Sequence, residues 1–171
     1  MVRVLFVCLG NICRSPTAEG IFRAMVAEAG LAESIEVESA GTAAYHIGDG
    51  ADPRSVRAAR DRGYDLSRHR ARQVHGADFE TFDYVLAMDH ENLRELESMR
   101  ELRAVRRAQA QAPEAGRQLA QVSLLLDFAP QLQVREVPDP YYRRHDGFDI
   151  VIDMVEDAAR GLLEHIRSRH P

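Results

Sequence analysis

Cysteine is scarce in this chain of 171 residues: there are two, Cys8 and Cys13, close together near the N-terminus. Two neighbouring thiols do not make the disulfide scaffold of a small secreted protein, which needs several pairs spread along the chain. A C-x4-C spacing with no second pair is also a poor zinc signature. The sequence therefore predicts neither a disulfide framework nor a metal site, and it favours a reducing, cytoplasmic location.

An excess of positive charge and a long hydrophobic run are missing as well. The formal net charge is -5, whereas a nucleic-acid-binding domain usually carries a basic arm or stripe. The longest apolar run falls far short of the about 20 residues that span a bilayer. The N-terminus begins with a strand pattern rather than a cleavable signal. We therefore expect no nucleic-acid or membrane partner, and a monomer, with a weak dimer as the alternative.

The most informative stretch that is present lies at the N-terminus, where an apolar strand ends in Cys8 and an arginine follows at Arg14. Gly10 and Asn11 readily adopt the unusual dihedral angles of a turn from strand to helix. Backbone N–H groups at a helix N-terminus bind phosphate-sized anions and favour the ionised form of a thiol held among them. Cys8 is therefore predicted to be a thiolate at neutral pH.

Apolar strand patterns alternate with helical patterns along the rest of the chain. Ser15 and Pro16 are interpreted as the N-cap and the first residue of the first helix. Predicted strands cover 2–8, 35–39, 84–88 and 122–126. Predicted helices cover 16–29, 52–63, the residues after Asp89, which is interpreted as their N-cap, and 148–167, and a surface helix is expected at 103–121 with an interruption near Pro113 and Gly116. This alternation predicts one α/β domain over residues 1–171, a four-stranded parallel sheet with helices on both faces and a phosphate-binding loop after strand 1.

Cys8 and Arg14 together suggest attack on a bound tetrahedral anion. The planar fork of Arg14 can hold two phosphate oxygens, and a thiolate at Cys8 would attack phosphorus and form a phosphocysteine. Asp139 is the candidate acid for the leaving oxygen, because Pro138 and Pro140 fix the backbone on both sides. It would donate a proton in the first step and accept one from water in the second. Loop amides and Arg14 balance the phosphate charge, so no metal or cofactor is expected.

These residues closely resemble the low-molecular-weight protein tyrosine phosphatase family. The resemblance is carried by 8–16, which reads Cys-Leu-Gly-Asn-Ile-Cys-Arg-Ser-Pro, and by 139–142, which reads Asp-Pro-Tyr-Tyr. It extends over almost the whole chain through shorter matches at 39–42, 52–54, 69–73 and 88–93, and the stretch 124–130 is more similar to bacterial members than to animal ones. It implies an enzyme that hydrolyses phosphotyrosine on proteins, and small aryl phosphates.

The resemblance also implies roles for further residues. Ser15 would hydrogen-bond the thiolate, and Asn11, Ser39 and His69 would hold the loop in its strained shape. Ile12 favours phosphotyrosine, because relatives that act on phosphoarginine carry threonine at that position. The residues expected to contact the substrate are Leu9, Gly10, Asn11, Ile12, Cys13 and Ser15 of the loop, and Tyr45, Tyr141 and Tyr142 as aromatic walls that favour a phosphoaryl group.

Several alternatives remain open at this stage. Cys13 is either a packing residue at the helix start or, as the family suggests, a disulfide partner that protects Cys8 from overoxidation. An arsenate reductase-like enzyme would need further cysteines, and none occurs after Cys13. A phosphate-binding or partner module without turnover would not need Asp139. Arg143 and Arg144 stand where many relatives have glycines, and they either attract acidic substrates or are idle surface charge.

Overall fold

The computed structural model describes residues 1–110, 117–143 and 146–170. Its four parallel strands form one sheet in the order β2-β1-β3-β4. The strands are β1 (Val2–Cys8), β2 (Ile35–Gly41), β3 (Tyr84–Ala87) and β4 (Gln121–Leu124). The helices among the described residues are α1 (Arg14–Glu28), α2 (Pro53–Asp61), α3 (Asp78–Thr81), α4 (His90–Gln109) and α5 (Asp146–Arg169). The predicted four-stranded parallel α/β sheet is confirmed.

Strand β1 lies in the interior of the sheet, and its side chains are buried alternately on the two faces. Phe6 packs in the core that α1 and α5 cover, where its ring meets Phe22 edge-to-face at 5.7 Å between centroids. Leu5 faces the other way, into the core with Phe79 of α3 and Leu96 of α4. A continuous apolar strand is buried on both faces in this way, because helices cover both sides of a parallel sheet. The predicted helices on both faces are thus confirmed.

The carboxyl ends of β1 and β2 support the loop that follows Cys8. Gly41 is paired with Cys8 across the two strands. A Cβ atom at Gly41 would come within 2.7 Å of the Leu9 carbonyl oxygen and 3.2 Å of the Asn11 nitrogen. The chain after β2 also donates backbone hydrogen bonds to the carbonyls of Cys8 (2.9 Å) and Leu9 (2.9 Å). The absence of a side chain at Gly41 therefore lets the loop fold closely against the end of β2.

The structure differs from the sequence-based predictions at four places. Helix α1 begins at Arg14 with Cys13 as its N-cap, so the interpretation of Ser15 as the N-cap is wrong; the Ser15 hydroxyl faces the Cys8 thiol instead. The fourth strand ends at Leu124, and Leu125–Phe128 form a 3-10 helix. The side chains of this segment pack into the α1 and α5 core rather than extending the sheet.

The third difference is α3, a short helix that was not predicted. Helix α4 continues to Gln109, which agrees with a helical start to the predicted segment 103–121, but the end of that prediction is wrong, because residues 117–120 are not helical and Gln121 begins β4. The predicted interruption near Pro113 and Gly116 lies outside the described residues. No helix in the described ranges combines the length and apolarity needed to cross a bilayer.

Candidate active site

The loop between β1 and α1 surrounds the thiol of Cys8. The Cys8 Sγ atom lies 3.0 Å from Ser15 Oγ, and the backbone N–H of Asn11 donates to it at 3.3 Å. Asn11 has a φ of 57°, in the left-handed region that asparagine tolerates better than most residues. This backbone conformation belongs to the turn in which the Asn11 N–H faces the sulfur. The thiol thus sits among hydrogen-bonding groups at the end of the central strand.

Asn11 is fully buried and holds the loop from behind. Its Nδ2 donates to Ser15 Oγ (2.8 Å) and Ser39 Oγ (3.0 Å). Its Oδ1 accepts the backbone N–H of Arg72 (3.0 Å), and its carbonyl accepts from His69 Nε2 (2.7 Å). Asn11 therefore ties the loop to α1, to β2 and to the segment before α3, and the structure brings the predicted supporting residues Ser39 and His69 together around it.

A second layer of the same network ends in Glu19, for which the sequence pattern predicted no role. The carboxylate of Glu19 accepts hydrogen bonds from the Ser39 hydroxyl and from Arg23, and it lies 3.6 Å from His69 Nδ1. Burial alone would raise the pKa of Glu19, but the hydrogen bonds from His69 and Ser39 and the charge of Arg23 lower it below its usual value. A carboxylate thus anchors the supporting residues of the loop.

Arg14 lies at the start of α1 with only 4% of its side chain exposed. Its Nη1 donates to Asp89 Oδ2 (2.7 Å) and to the carbonyl of Val137 (3.1 Å), and its Nη2 lies 3.8 Å from Asp139 Oδ2. Burial would lower the pKa of Arg14, but the neighbouring Cys8 and Asp89 outweigh it and keep the pKa above its usual value. The guanidinium is therefore a fixed, charged wall of the site.

Asp89 has a role that its place in the sequence did not reveal. Its Oδ1 accepts the backbone N–H of Asn92 (2.8 Å), as expected of the N-cap of α4. The other oxygen of the same carboxylate holds Arg14. The N-cap could be predicted from the sequence because it involves residues three positions apart. The contact with Arg14 spans 75 positions, and no local pattern indicates it.

Asp139 lies on the loop that precedes α5 in the sequence, and this loop packs beside the end of β3. The loop is attached where the Val137 N–H donates to the carbonyl of Met88 (2.8 Å). Asp139 Oδ1 accepts the backbone N–H of Tyr141 (3.0 Å), and 43% of the Asp139 side chain is exposed. The predicted acid is thus close to Arg14, on a loop that is far more open to solvent than the loop around Cys8.

These groups line a cavity of about 190 Å³. Asn11 and Ser15, expected to contact the substrate, lie behind its wall and are buried. His46, which was not predicted, is at the rim, against Gly10 of the loop. Tyr45 and Tyr142 are largely exposed, so the aromatic walls form an open rim. The lining residues are Cys8, Leu9, Gly10, Ile12, Cys13, Arg14, Tyr45, His46, Asp139, Tyr141 and Tyr142.

Cys13 differs from Cys8 in its surroundings, although both are free thiols. Burial, followed by the charge of Asp52, raises the pKa of Cys13 to about 12. Cys13 is therefore a neutral thiol across the ordinary pH range. Residues 137–142, which carry the predicted acid Asp139, are called the acid loop. Arg143 is exposed beside this loop, whereas Arg144 lies outside the described residues. Across the described ranges no three or more His, Cys, Asp or Glu side chains are grouped to hold a metal ion.

Comparisons with known proteins agree on one family. A family model for low molecular weight phosphotyrosine protein phosphatase matches residues 3–170. A low molecular weight protein-tyrosine-phosphatase of Streptomyces coelicolor is 44% identical over 169 residues, which cover 98% of this chain and 94% of the relative. A crystal structure of a protein tyrosine phosphatase from Entamoeba histolytica, with Hepes in the active site, superposes with a TM-score of 0.85 at 35% identity and covers 100% of both chains.

The same fold also occurs in a Drosophila arginine phosphatase, with a TM-score of 0.81, 30% identity and coverage of 96% of this chain and 97% of that one. The resemblance drawn from the sequence is confirmed, because the family model and the Streptomyces relative both extend over nearly the whole chain. This chain is a phosphatase enzyme and belongs to the low molecular weight phosphotyrosine protein phosphatase family.

Proposed function

We propose that this enzyme hydrolyses phosphotyrosine on proteins through a phosphocysteine intermediate on Cys8. The observation that carries the proposal is that Cys8, Arg14 and Asp139, far apart in sequence, line one cavity. A nucleophile, a phosphate-binding cation and a proton donor are the three groups that this displacement needs.

The surroundings of Cys8 suit a thiolate nucleophile. The hydroxyl of Ser15 and the backbone N–H of Asn11 both lie within hydrogen-bond reach of its sulfur, and both can donate to a negative charge. Arg14 lines the same cavity with its guanidinium held by Asp89. Fixed donors and a fixed cation stabilise developing charge without reorganising during the reaction.

In the first step the Cys8 thiolate attacks phosphorus, so that an S–P bond forms as the P–O bond to the tyrosine ring breaks. Asp139 gives its proton to the departing phenolic oxygen, and tyrosine leaves neutral. In the second step water attacks phosphorus, the Asp139 carboxylate takes a proton from that water, and the S–P bond breaks. Inorganic phosphate leaves, and the thiolate and the acid are restored.

The walls of the cavity support an aromatic substrate. Tyr45, Tyr141 and Tyr142 stand around the mouth, where a phosphotyrosine ring can pack between the loop and the rim. Ile12 adds an apolar surface at the position where phosphoarginine-directed relatives carry threonine. We therefore place phosphotyrosine ahead of phosphoserine and phosphoarginine, and we expect a cytoplasmic protein that works without metal, membrane or nucleic acid, as a monomer or weak dimer.

The test is release of inorganic phosphate from matched peptides that carry phosphotyrosine, phosphoserine or phosphoarginine, measured with a metal chelator present. The wild-type enzyme should prefer phosphotyrosine. Cys8→Ser should abolish turnover, and Asp139→Asn should reduce it on the order of 10²–10⁴-fold, because tyrosine is a poor leaving group without a proton.

A matched control for the acid is Asp127→Asn, which makes the same change at a carboxylate paired with Arg135 away from the cavity. It should leave turnover unchanged. Retained activity in Cys8→Ser would contradict the phosphocysteine mechanism. Preferential release from phosphoarginine would contradict the substrate assignment while leaving the chemistry intact.

A further inference from the structure

The start of α2 links the two loops that carry the proposed catalytic groups. Asp52, the N-cap of α2, donates its backbone N–H to the carbonyl of Ile12 in the loop around Cys8 (2.8 Å). Its carboxylate accepts from Arg54 at Nη2 (2.8 Å) and Nε (3.0 Å). Burial would raise the pKa of Asp52, but the bonds from Arg54 lower it. The carboxylate is thus ionised at neutral pH and fixes the Arg54 guanidinium relative to the loop.

The other side of the same guanidinium contacts the acid loop. Arg54 Nη1 donates to the carbonyl of Tyr141 (3.0 Å). The guanidinium carbon lies 5.2 Å from the centroid of the Tyr141 ring and 4.9 Å from that of Phe148 in α5, both within range of a cation–π contact. Arg54 therefore contacts both the backbone carbonyl and the aromatic ring of Tyr141.

Tyr141 in turn bonds the acid itself. Its backbone N–H donates to Asp139 Oδ1 at 3.0 Å. The contacts therefore run from Ile12 through Asp52 and Arg54 to Tyr141 and Asp139, and each link is a direct hydrogen bond. Arg54 itself does not line the cavity, so it acts through its neighbours.

We propose that Arg54 is a positioning residue for general acid catalysis, which holds the acid loop so that Asp139 faces the leaving oxygen. This proposal rests on the proposed function above. A planar guanidinium suits the task because it can bond Asp52 with two nitrogens, use a third for Tyr141 and still stack on rings. Lysine cannot make this set of contacts at once.

The test measures kcat/KM for two aryl phosphates with different leaving groups in wild type, Arg54→Gln and Arg54→Lys. Phenol, with a pKa near that of tyrosine at about 10, needs a proton as it departs from phenyl phosphate, whereas 2,4-dinitrophenolate leaves unaided. Because kcat/KM reports the steps up to phosphorylation of Cys8, it isolates the acid's first role. Effects on binding an aryl phosphate largely cancel in the ratio of the two values.

We expect Arg54→Gln to lower kcat/KM for phenyl phosphate about tenfold or more, in the range of partial loss of an acid, with a change of less than about twofold for 2,4-dinitrophenyl phosphate. The kcat/KM of Arg54→Lys for phenyl phosphate should lie between the values for Arg54→Gln and wild type. Asp139→Asn should show the same pattern more strongly. An equal loss on both substrates, or no loss on phenyl phosphate, would overturn the positioning role.

The matched control is Arg62→Gln. Arg62, at the other end of α2, also crosses to α5, by pairing with Asp153 and Glu156, and its side chain is 34% exposed compared with 41% for Arg54. Its ion pairs among the described residues lie away from the acid loop, and its substitution should leave the ratio at the wild-type value. If Asp139→Asn left kcat/KM for phenyl phosphate unchanged, the assignment of Asp139 as the acid would be wrong. That outcome is distinct from one in which Asp139→Asn lowers kcat/KM and Arg54→Gln does not.

Discussion

The loop around Cys8 and the loop around Asp139 meet at one cavity but are built differently. The first is held by the fully buried Asn11, which bonds side chains and backbone from α1, β2 and the segment before α3. The second is exposed, and contacts at Met88, Arg54 and Arg14 join it to the rest of the protein.

This difference separates the part of the proposed chemistry that needs a rigid site from the part that needs access to solvent. In the proposed mechanism, phosphate must meet the sulfur and its donors in a fixed geometry, which the network around Asn11 supplies before substrate arrives. On the same proposal, the acid loop must admit a phosphotyrosine side chain and release tyrosine again, which agrees with the exposure of Asp139, Tyr141 and Tyr142. We therefore expect changes in the first loop to reduce both stability and rate, and changes in the second to reduce rate alone.

The largest loss of stability should come from Asn11→Ala. Removal of the side chain takes away its hydrogen bonds to the hydroxyls of Ser15 and Ser39 and to the N–H of Arg72, and each such bond contributes about 0.5–1.5 kcal/mol. Alanine is also strained at a φ of 57°. Urea unfolding should show a loss of about 3 kcal/mol or more, and turnover should fall about 10²-fold as the loop shifts.

Asp139→Asn is the counterpart from the acid loop. The amide oxygen can still accept from the Tyr141 N–H, so the free energy of unfolding should stay within about 1 kcal/mol of wild type, as for most surface substitutions. If Asn11→Ala unfolded at the same urea concentration as wild type, or if Asp139→Asn were the less stable of the two variants, the contrast between the loops would be wrong.

The elements that the sequence predicted well are those with local causes. The strand Val2–Cys8 and the cap at Asp89 follow from an apolar run and from an aspartate before a helical pattern. The residues Leu125 and Leu126 have the apolar composition of a strand, but they form a 3-10 helix whose side chains pack in the core with α5. The local sequence pattern does not distinguish the 3-10 helix from a continued strand.

The predicted site shows the same division. Cys8 and Arg14 fall within one short motif, and Asp139 stands out because prolines flank it. The contacts of Glu19, of Asp89 with Arg14 and of Arg54 with Tyr141 join segments up to 87 positions apart. Nothing in the neighbouring sequence marks those partners, so they become visible when the sheet brings the strand ends together.

An intermediate effect is expected from Glu19→Gln, in the second layer of the rigid loop. The folded pKa of Glu19 is lowered from 4.5, so the carboxylate stabilises the fold above that pH, and this contribution is lost as the pH falls through the folded pKa. At pH 7 the variant should be less stable by about 1.5–3 kcal/mol, the range for hydrogen bonds to a charged group. The difference should shrink as the pH drops below 4.5.

Urea unfolding of both proteins between pH 7 and pH 3.5 measures this difference. Glu36→Gln is the control, because Glu36 forms an exposed pair with Arg3 and such pairs contribute about 1 kcal/mol or less. A Glu19→Gln difference that stayed constant or grew on acidification would mean that the carboxylate does not hold the network in its charged form.

The smallest effect should come from Tyr142→Ala, at the open rim. This side chain is 91% exposed, and its ring meets that of Tyr141 edge-to-face at 4.8 Å. An aromatic pair with the substrate is worth about 0.5–1.5 kcal/mol, so kcat/KM for a phosphotyrosine peptide should fall about 2- to 12-fold. The free energy of unfolding should change by less than about 1 kcal/mol, because the side chain is so exposed, and activity toward a phosphoserine peptide should not change, because phosphoserine has no ring to pack against Tyr142. Tyr142→Phe keeps the ring and should match wild type; if it lost as much as Tyr142→Ala, the hydroxyl rather than the aromatic wall would be the source of the preference.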